Sequence, residues 1–447
     1  MTYFNMLRNS RKVLLKKNVC PIIYHKKNFL THEYKCTEAW KNMNASPVFN
    51  KININDFYNV VDQNYTSKGV ISAIDVDIFA NSINDSTHLE ELKDLLHKLR
   101  LSAETGNMLE STRQATVRNF MEFGDINDLV EILKNPLNFG VFLDYYSANI
   151  LLDKLITTAN FELAARVAAL VMLQEEYDND ITCTLCQYAC VKYITDYVPP
   201  EPTPAPPEQK NKKVEEKKIR IKYLRNPYFD DHFDIQDTFT LSGKTLAWIS
   251  ERATDNLNNN LQIIGWLIYK KFDKLSTFCE TISKERSFKV YGEVLKLLQR
   301  EAAVVDPESK PILENCYSIL SKVERIPSDT SLEESLKTAI ENAINKLHKN
   351  DVSDQEQLFK HWSKLREEKL EEQVQRLDRA KRLQEIQEKQ NNMKDEEQKL
   401  WFFENEDKID LEIEEKEKLV DKSVKKQKAT KITDDNYIPP EIRPKKK

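Results

Sequence analysis

The chain has 447 residues and a mass of 52.4 kDa, with 67 Lys plus Arg against 72 Asp plus Glu, a net charge of −5 and a mean hydropathy of −0.61, which gives room for two or three folding units. Its longest apolar run, Leu261 to Tyr269, contains Gln262 and falls far short of the ~20 apolar residues of a spanning helix, so an integral membrane protein is excluded. Seven glycines are too few for the repeated φ > 0 turns of a β-sandwich, a Rossmann unit or a TIM barrel, whereas helices joined by short polar turns need few, and the composition reads all-α. Seven cysteines scattered from Cys20 to Cys316 outline no small disulfide framework and read as reduced thiols.

Residues 1–32 read as a mitochondrial targeting segment. Met1 to Thr31 hold no Asp or Glu, while Arg8, Arg11, Lys12, Lys16, Lys17, Lys26 and Lys27 are basic. Phe4, Met6, Leu7, Val13, Leu14 and Leu15 are interleaved with that charge, as in a basic amphipathic helix and unlike a secretory apolar run. A basic arm that binds nucleic acid is the plainer alternative.

Residues 37–197 carry a helical repeat. Phe161, Ala164, Ala165, Ala168 and Met172 lie on one helix face, and 35 residues earlier stand Ile126, Leu129, Val130, Leu133 and Leu137. The preceding helix keeps the same offset, since Leu152, Leu155, Ile156 and Ala159 map to Val117, Phe120, Met121 and Gly124. Forward by 35 come Gln187, Cys190, Val191 and Ile194; backward the offset becomes 37 and reaches Leu89, Leu92 and Leu96. Paired helices with a period near 35 are those of tetratricopeptide and pentatricopeptide arrays, in which each hairpin buries its apolar face on its neighbour. Pro199 is expected to stop the array within its next helix, and an irregular helical bundle is the alternative.

The run Phe139-Gly140-Val141-Phe142-Leu143-Asp144-Tyr145-Tyr146-Ser147-Ala148-Asn149-Ile150-Leu151-Leu152-Asp153, with Asn160-Phe161 and Val171-Met172-Leu173-Gln174-Glu175, resembles the pentatricopeptide-repeat family of the animal mitochondrial small ribosomal subunit. The resemblance is close over Phe123 to Ile194 and further on rests on Trp362 and the charged helix after it. The general repeat pattern has Pro-Asp and Thr-Tyr-Asn where this chain has Leu143-Asp144 and Ser147-Ala148-Asn149. The resemblance implies a non-catalytic matrix protein that contacts small-subunit ribosomal RNA and neighbouring ribosomal proteins. By the same analogy Asn149 and Asn179, the fifth and last residues of the best-kept unit, are the candidates for base contact.

Residues 198–238 read as a linker. Pro199, Pro200, Pro202, Pro204, Pro206 and Pro207 favour a stiff polyproline II spacer. Lys210, Lys212, Lys213, Lys217, Lys218, Arg220, Lys222 and Arg225 follow, opposed only by Glu215 and Glu216; they are a candidate phosphate grip or else a solvated run. Residues 239–350 read as a second helical domain, with helical spacing in Leu246 to Lys270, Ser287 to Ala303 and Pro311 to Val323, and a further helix after Leu332.

A long charged helix is expected over 351–430. Between His361 and Gln398 lie nine Lys or Arg and ten Asp or Glu with no Gly or Pro, and pairs such as Glu372 with Arg376 stand at i, i+4. Leu358, Trp362, Leu365, Leu377 and Ile386 do not sustain a heptad seam, so a parallel coiled coil is the weaker reading. Lys425, Lys426 and Lys428, then a basic tail over 431–447, offer further charge for RNA.

Three motifs imitate chemistry. Ser242-Gly243-Lys244-Thr245 resembles the end of a phosphate-binding loop but has Thr238 where the first glycine belongs. Cys183, Cys186 and Cys190 share one helical stripe without a fourth ligand nearby, which favours packing over a metal. Asp230, Asp231, His232, Asp234 and Asp237 lie among Tyr228, Phe229 and Phe233 and read as a docked segment rather than a cation site. No catalytic residue, metal, cofactor or small-molecule substrate is expected. The function expected is a structural component of the mitochondrial small ribosomal subunit. The rival is a free mitochondrial pentatricopeptide factor for transcript stability or translation, which needs a longer array because each repeat reads about one base.

Overall fold

The computed structural model describes residues 28–198, 235–307, 309–327 and 330–429. Among them eighteen α-helices form, and the sole strand-like feature is an isolated parallel bridge between Val290 and Arg325. The fold is all-α. The helices are α1 (Thr37–Asn44), α2 (Pro47–Asn50), α3 (Ile54–Lys68), α4 (Ala73–Ser82), α5 (Leu89–Leu101), α6 (Glu110–Phe123), α7 (Ile126–Lys134), α8 (Pro136–Phe139), α9 (Tyr145–Thr157), α10 (Phe161–Gln174) and α11 (Asp180–Asp196). After the proline-rich stretch come α12 (Thr238–Glu251), α13 (Asn256–Ile268), α14 (Phe272–Ile282), α15 (Gly292–Val304), α16 (Lys310–Ser321), α17 (Leu332–Glu404) and α18 (Glu406–Ala429).

Helix starts recur at the interval of the apolar stripes because the capping residues do. Asp125 accepts from the Asn127 amide at the head of α7, and Asn160, 35 residues later, accepts from the Leu163 amide at the head of α10. Asn179 caps α11 through the Ile181 and Thr182 amides, while Asp144, 35 residues earlier, precedes α9 without a side-chain cap bond. A capping side chain satisfies amides that the helix leaves open and contributes about 1 kcal/mol. Helices α4, α6, α9 and α11 each pack on the next, and α7, α10 and α12 do likewise beside them.

The helical order runs past Pro199. Helix α12 packs on both α10 and α11, and has the same length as α10, 14 residues. Tyr197 and Phe239 stack with ring centroids 4.2 Å apart and planes 24° apart. The residues between 198 and 235 lie outside the described ones; the helices on either side of them meet through this pair. Sequence periodicity loses the register there because the inserted residues change the offset, while packing is indifferent to chain length between partners. Helices α13 and α14 begin 16 residues apart, at 256 and 272, as α9 and α10 do at 145 and 161. The run Leu246 to Lys270 is thus two helices, broken at Arg252–Asp255. Their crossing is close: a Cβ on Gly265 would lie 2.4 Å from the Ala247 backbone nitrogen, and one on Gly243 2.7 Å from Ile268 Cβ.

No Gly or Pro occurs between Pro327 and Pro439, and one helix, α17, runs unbroken from Leu332 to Glu404. Two compact units divide within it, the first ending at Arg366 and the second starting at Glu367. In the first, Leu332, Leu336 and Ile340 are buried, followed by Asp351, Gln355, Phe359, Trp362 and Arg366. This i, i+4 series is a single helix face. In the second, α17 and α18 expose nearly every described side chain, Leu377, Leu400 and Leu419 included. Glu372 pairs with Arg376 at 3.8 Å and with Lys369 at 3.0 Å. Such exposed pairs add a few tenths of a kcal/mol each.

Candidate nucleic-acid and protein interface

Counted from its first residue, the fifth position of α4 is Asp77, of α6 Gln114 and of α9 Asn149. They stand 37 and 35 residues apart, the two offsets of the repeat. Polar side chains at equivalent places on stacked helices form a row, and in a base-reading array such a row faces the nucleic acid. Here all three are buried, and each is bonded to a distant part of the same chain. Arg366 Nε donates to Asp77 Oδ2 at 2.6 Å. Gln355 Nε2 donates to Gln114 Oε1 at 3.1 Å. Asn149 Nδ2 donates to Tyr34 Oη at 2.9 Å, and that hydroxyl donates to Asp351 Oδ2 at 2.8 Å. One face of α17, aided by the segment around Tyr34, thus occupies the whole row.

Further bonds along the row are also internal. Asp77 Oδ1 accepts from Ser111, from Thr112 at 2.9 Å and from Asn81 at 3.1 Å. Arg118 donates to the Lys35 carbonyl at 2.8 Å and to Tyr146 Oη at 3.0 Å, and lies 4.7 Å from the Trp40 ring centroid and 5.6 Å from that of Phe359. Burial draws its guanidinium pKa below the ordinary value, with Tyr146 opposing, and the flanking ring faces favour the cation there. Burial, followed by the Asp351 charge, pushes the Tyr34 phenol far up, so it remains a hydroxyl able to donate.

The residues expected to meet RNA fall in three places. Asn149 is buried on Tyr34 as described. Asn179 caps α11, its Oδ1 accepting from the Ile181 and Thr182 amides at 2.9 and 3.1 Å, while its Nδ2 donates to Asp351 Oδ2 at 3.2 Å. Lys210, Lys212, Lys213, Lys217, Lys218, Arg220, Lys222 and Arg225 lie outside the described residues. Lys425, Lys426 and Lys428 belong to α18, and their side chains lie outside the described ones. Sequence reasoning overlooked Tyr34, Asp351, Gln355 and Arg366. The available signal was the series 351, 355, 359, 362 and 366, which sets Phe359 and Trp362 between polar Asp351, Gln355 and Arg366 on one face of an otherwise charged helix.

The look-alike motifs resolve into packing. Ser242-Gly243-Lys244-Thr245 sits inside α12, so its amides are in helical bonds and form no nest; Lys244 Nζ lies 4.6 Å over the Trp248 ring. Cys183, Cys186 and Cys190 are buried free thiols on α11. Asp237 caps α12 through the Phe239 and Thr240 amides, and the rest of its acidic cluster lies outside the described residues. Among the described residues no group of three His, Cys, Asp or Glu is arranged to hold a metal, and no helix is long and apolar enough to cross a membrane.

The described residues thus make an all-α protein whose row of buried polar side chains at Asp77, Gln114 and Asn149 is bonded to its own chain. The family model of mitochondrial 28S ribosomal protein S27, MRP-S27, matches residues 3–392. The chain belongs to that family, a component of the mitochondrial small ribosomal subunit in the matrix with a structural, non-enzymatic role.

Proposed function

We propose that this chain is an adhesive scaffold of the small subunit, holding ribosomal RNA by charge and neighbouring ribosomal proteins by its helical surfaces. The observation that carries the reading is the internal bonding of Asp77, Gln114 and Asn149 to Arg366, Gln355 and Tyr34. A free factor that reads a transcript base by base needs that row open; a scaffold does not, and gains rigidity from its closure. RNA contact then falls to phosphate-directed groups: Lys210, Lys212, Lys213, Lys217, Lys218, Arg220, Lys222 and Arg225, with Lys425, Lys426 and Lys428. Cations on such segments release counterions from phosphate, an attraction blind to base identity and steeply weakened by salt.

The test is binding of the purified chain to the small-subunit RNA across a salt series. Replacing the eight basic residues of 210–225 by Gln is expected to flatten the slope of log affinity against log salt, and Asn149→Ala to leave that slope unchanged. Retained slope in the eightfold variant, or tight binding to one short single strand and not to others, favours the transcript-reading rival.

A further inference from the structure

Beside the closed row runs a groove that is open. A cavity of about 1200 Å³ adjoins one of about 360 Å³, with Leu143, Asp144, Tyr145, Gln174 and Glu176 lining both. The larger exceeds the ~300–1,000 Å³ usual for small-molecule sites. Its walls are chiefly apolar, with Leu133, Val141, Leu170, Leu358 and Trp362 among them. At its rim Leu137 is 80% exposed and Phe142 44%. Contiguous apolar surface left in water is a mark of an interaction site.

The charge around the groove specifies the occupant. The charge on the combined lining is negative: Glu110, Asp144, Glu176 and Asp178 against Arg113 and Lys134. Phosphate is repelled there, whereas a cationic chain is drawn in.

We propose that the groove binds an apolar, net-basic polypeptide segment of another protein of the small subunit. The inference deepens the scaffold reading and rests on it: it names the chemistry of one protein neighbour. Its apolar side chains cover Leu137 and Phe142, and its Lys or Arg residues face the four carboxylates. Large apolar residues in such a centre carry most of the binding energy, and the acidic rim sets orientation.

The test uses the full chain carrying Phe142→benzoylphenylalanine, made in cells and assembled into small subunits that are isolated on a gradient and irradiated. The expected result is a cross-link to a peptide of another subunit protein that is rich in apolar residues and carries more Lys and Arg than Asp and Glu. Adding Leu137→Asp is expected to lower its yield about tenfold. Because Leu137 is exposed, that change leaves the thermal midpoint of the free protein unaltered. Cross-links to RNA alone, to a second copy of the chain or to an acidic segment overturn the proposal, as does the lack of any cross-link in subunits that contain the chain. Absence of the chain from the subunit fraction defeats the scaffold reading itself, so the two failures are distinct.

Discussion

Asp77 and Arg366 stand 289 positions apart and form a 2.6 Å ion pair with side chains 0% and 3% exposed. A charge pair removed from water in this way is strongly asymmetric in its energetics. The intact pair is near balance against desolvation, but deleting one partner strands the other and costs about 3–5 kcal/mol. Arg366→Met is therefore expected to lower stability by about that amount, read from urea unfolding. Combining it with Asp77→Leu is expected to recover part of the loss. A single variant with wild-type stability contradicts the pairing of α17 with α4.

Gly265 tests the crossing of α12 and α13. In a helix interior Gly→Ala gains about 1 kcal/mol of propensity. The added Cβ, however, meets the Ala247 backbone at 2.4 and 2.6 Å, where backbone must shift, and overpacking of that kind costs about 1–3 kcal/mol. The steric cost prevails, so Gly265→Ala is expected to lower the urea midpoint. A rise in the midpoint shows that the two helices stand further apart.

The cysteine stripe of α11 is expected to be inert. Burial pushes Cys183 up to about 11 and Cys190 up to about 12, and Cys186 well above the ordinary thiol value. At pH 8 all three are protonated, and thiolate is the reactive form. Iodoacetamide added to the native protein should leave these three unlabelled by peptide mass spectrometry, and should label them after urea. Rapid native labelling, or stoichiometric zinc in the purified protein, opposes their role as packing groups.

Acid should loosen the contact between α11 and α17. Glu333 accepts from Tyr188 Oη at 3.1 Å and pairs with Lys192 at 3.2 Å and Lys337 at 2.8 Å. Burial works to raise its pKa, but the two ammonium groups prevail and hold it at about 2. The folded value lies below the unfolded one of about 4.3. The stabilisation is therefore present above that unfolded value and is lost as pH falls from about 4.5 through 2. Asp180 acts in the same direction through Arg252 and Lys346. Unfolding by urea across this window should show a shallower pH dependence in Glu333→Gln than in the wild type, with the difference reduced by salt because the group is partly exposed. Equal slopes refute the pairing.

Local chemistry determined much of this protein in advance. Scarce glycine, apolar residues at 3.6-residue spacing and capping Asp or Asn residues at intervals of 35 specify helices and their recurrence, since each acts within a turn or two of its own position. The run Phe139–Asp153 with Asn160-Phe161 carried enough of the family's pattern to indicate the ribosomal class, and the coverage of residues 3–392 agrees with it. The repeat was harder to follow past Pro199, where inserted chain displaced the count although α12 still packs on α10 and α11.

Only the tertiary structure decided what the repeat's fifth positions do. Asp77, Gln114 and Asn149 look alike as helix-surface polar residues, and nothing within several turns of them names Arg366, Gln355 or Tyr34 as partners. Helix α17 was legible as a charged helix, but which of its faces is dry depends on residues more than 200 positions away in the chain, as with Gln114 and Gln355, 241 apart. Periodicity carries information about neighbours along a helix; the burial of a charge is settled by whatever distant surface closes over it, and that is a property of the folded chain alone.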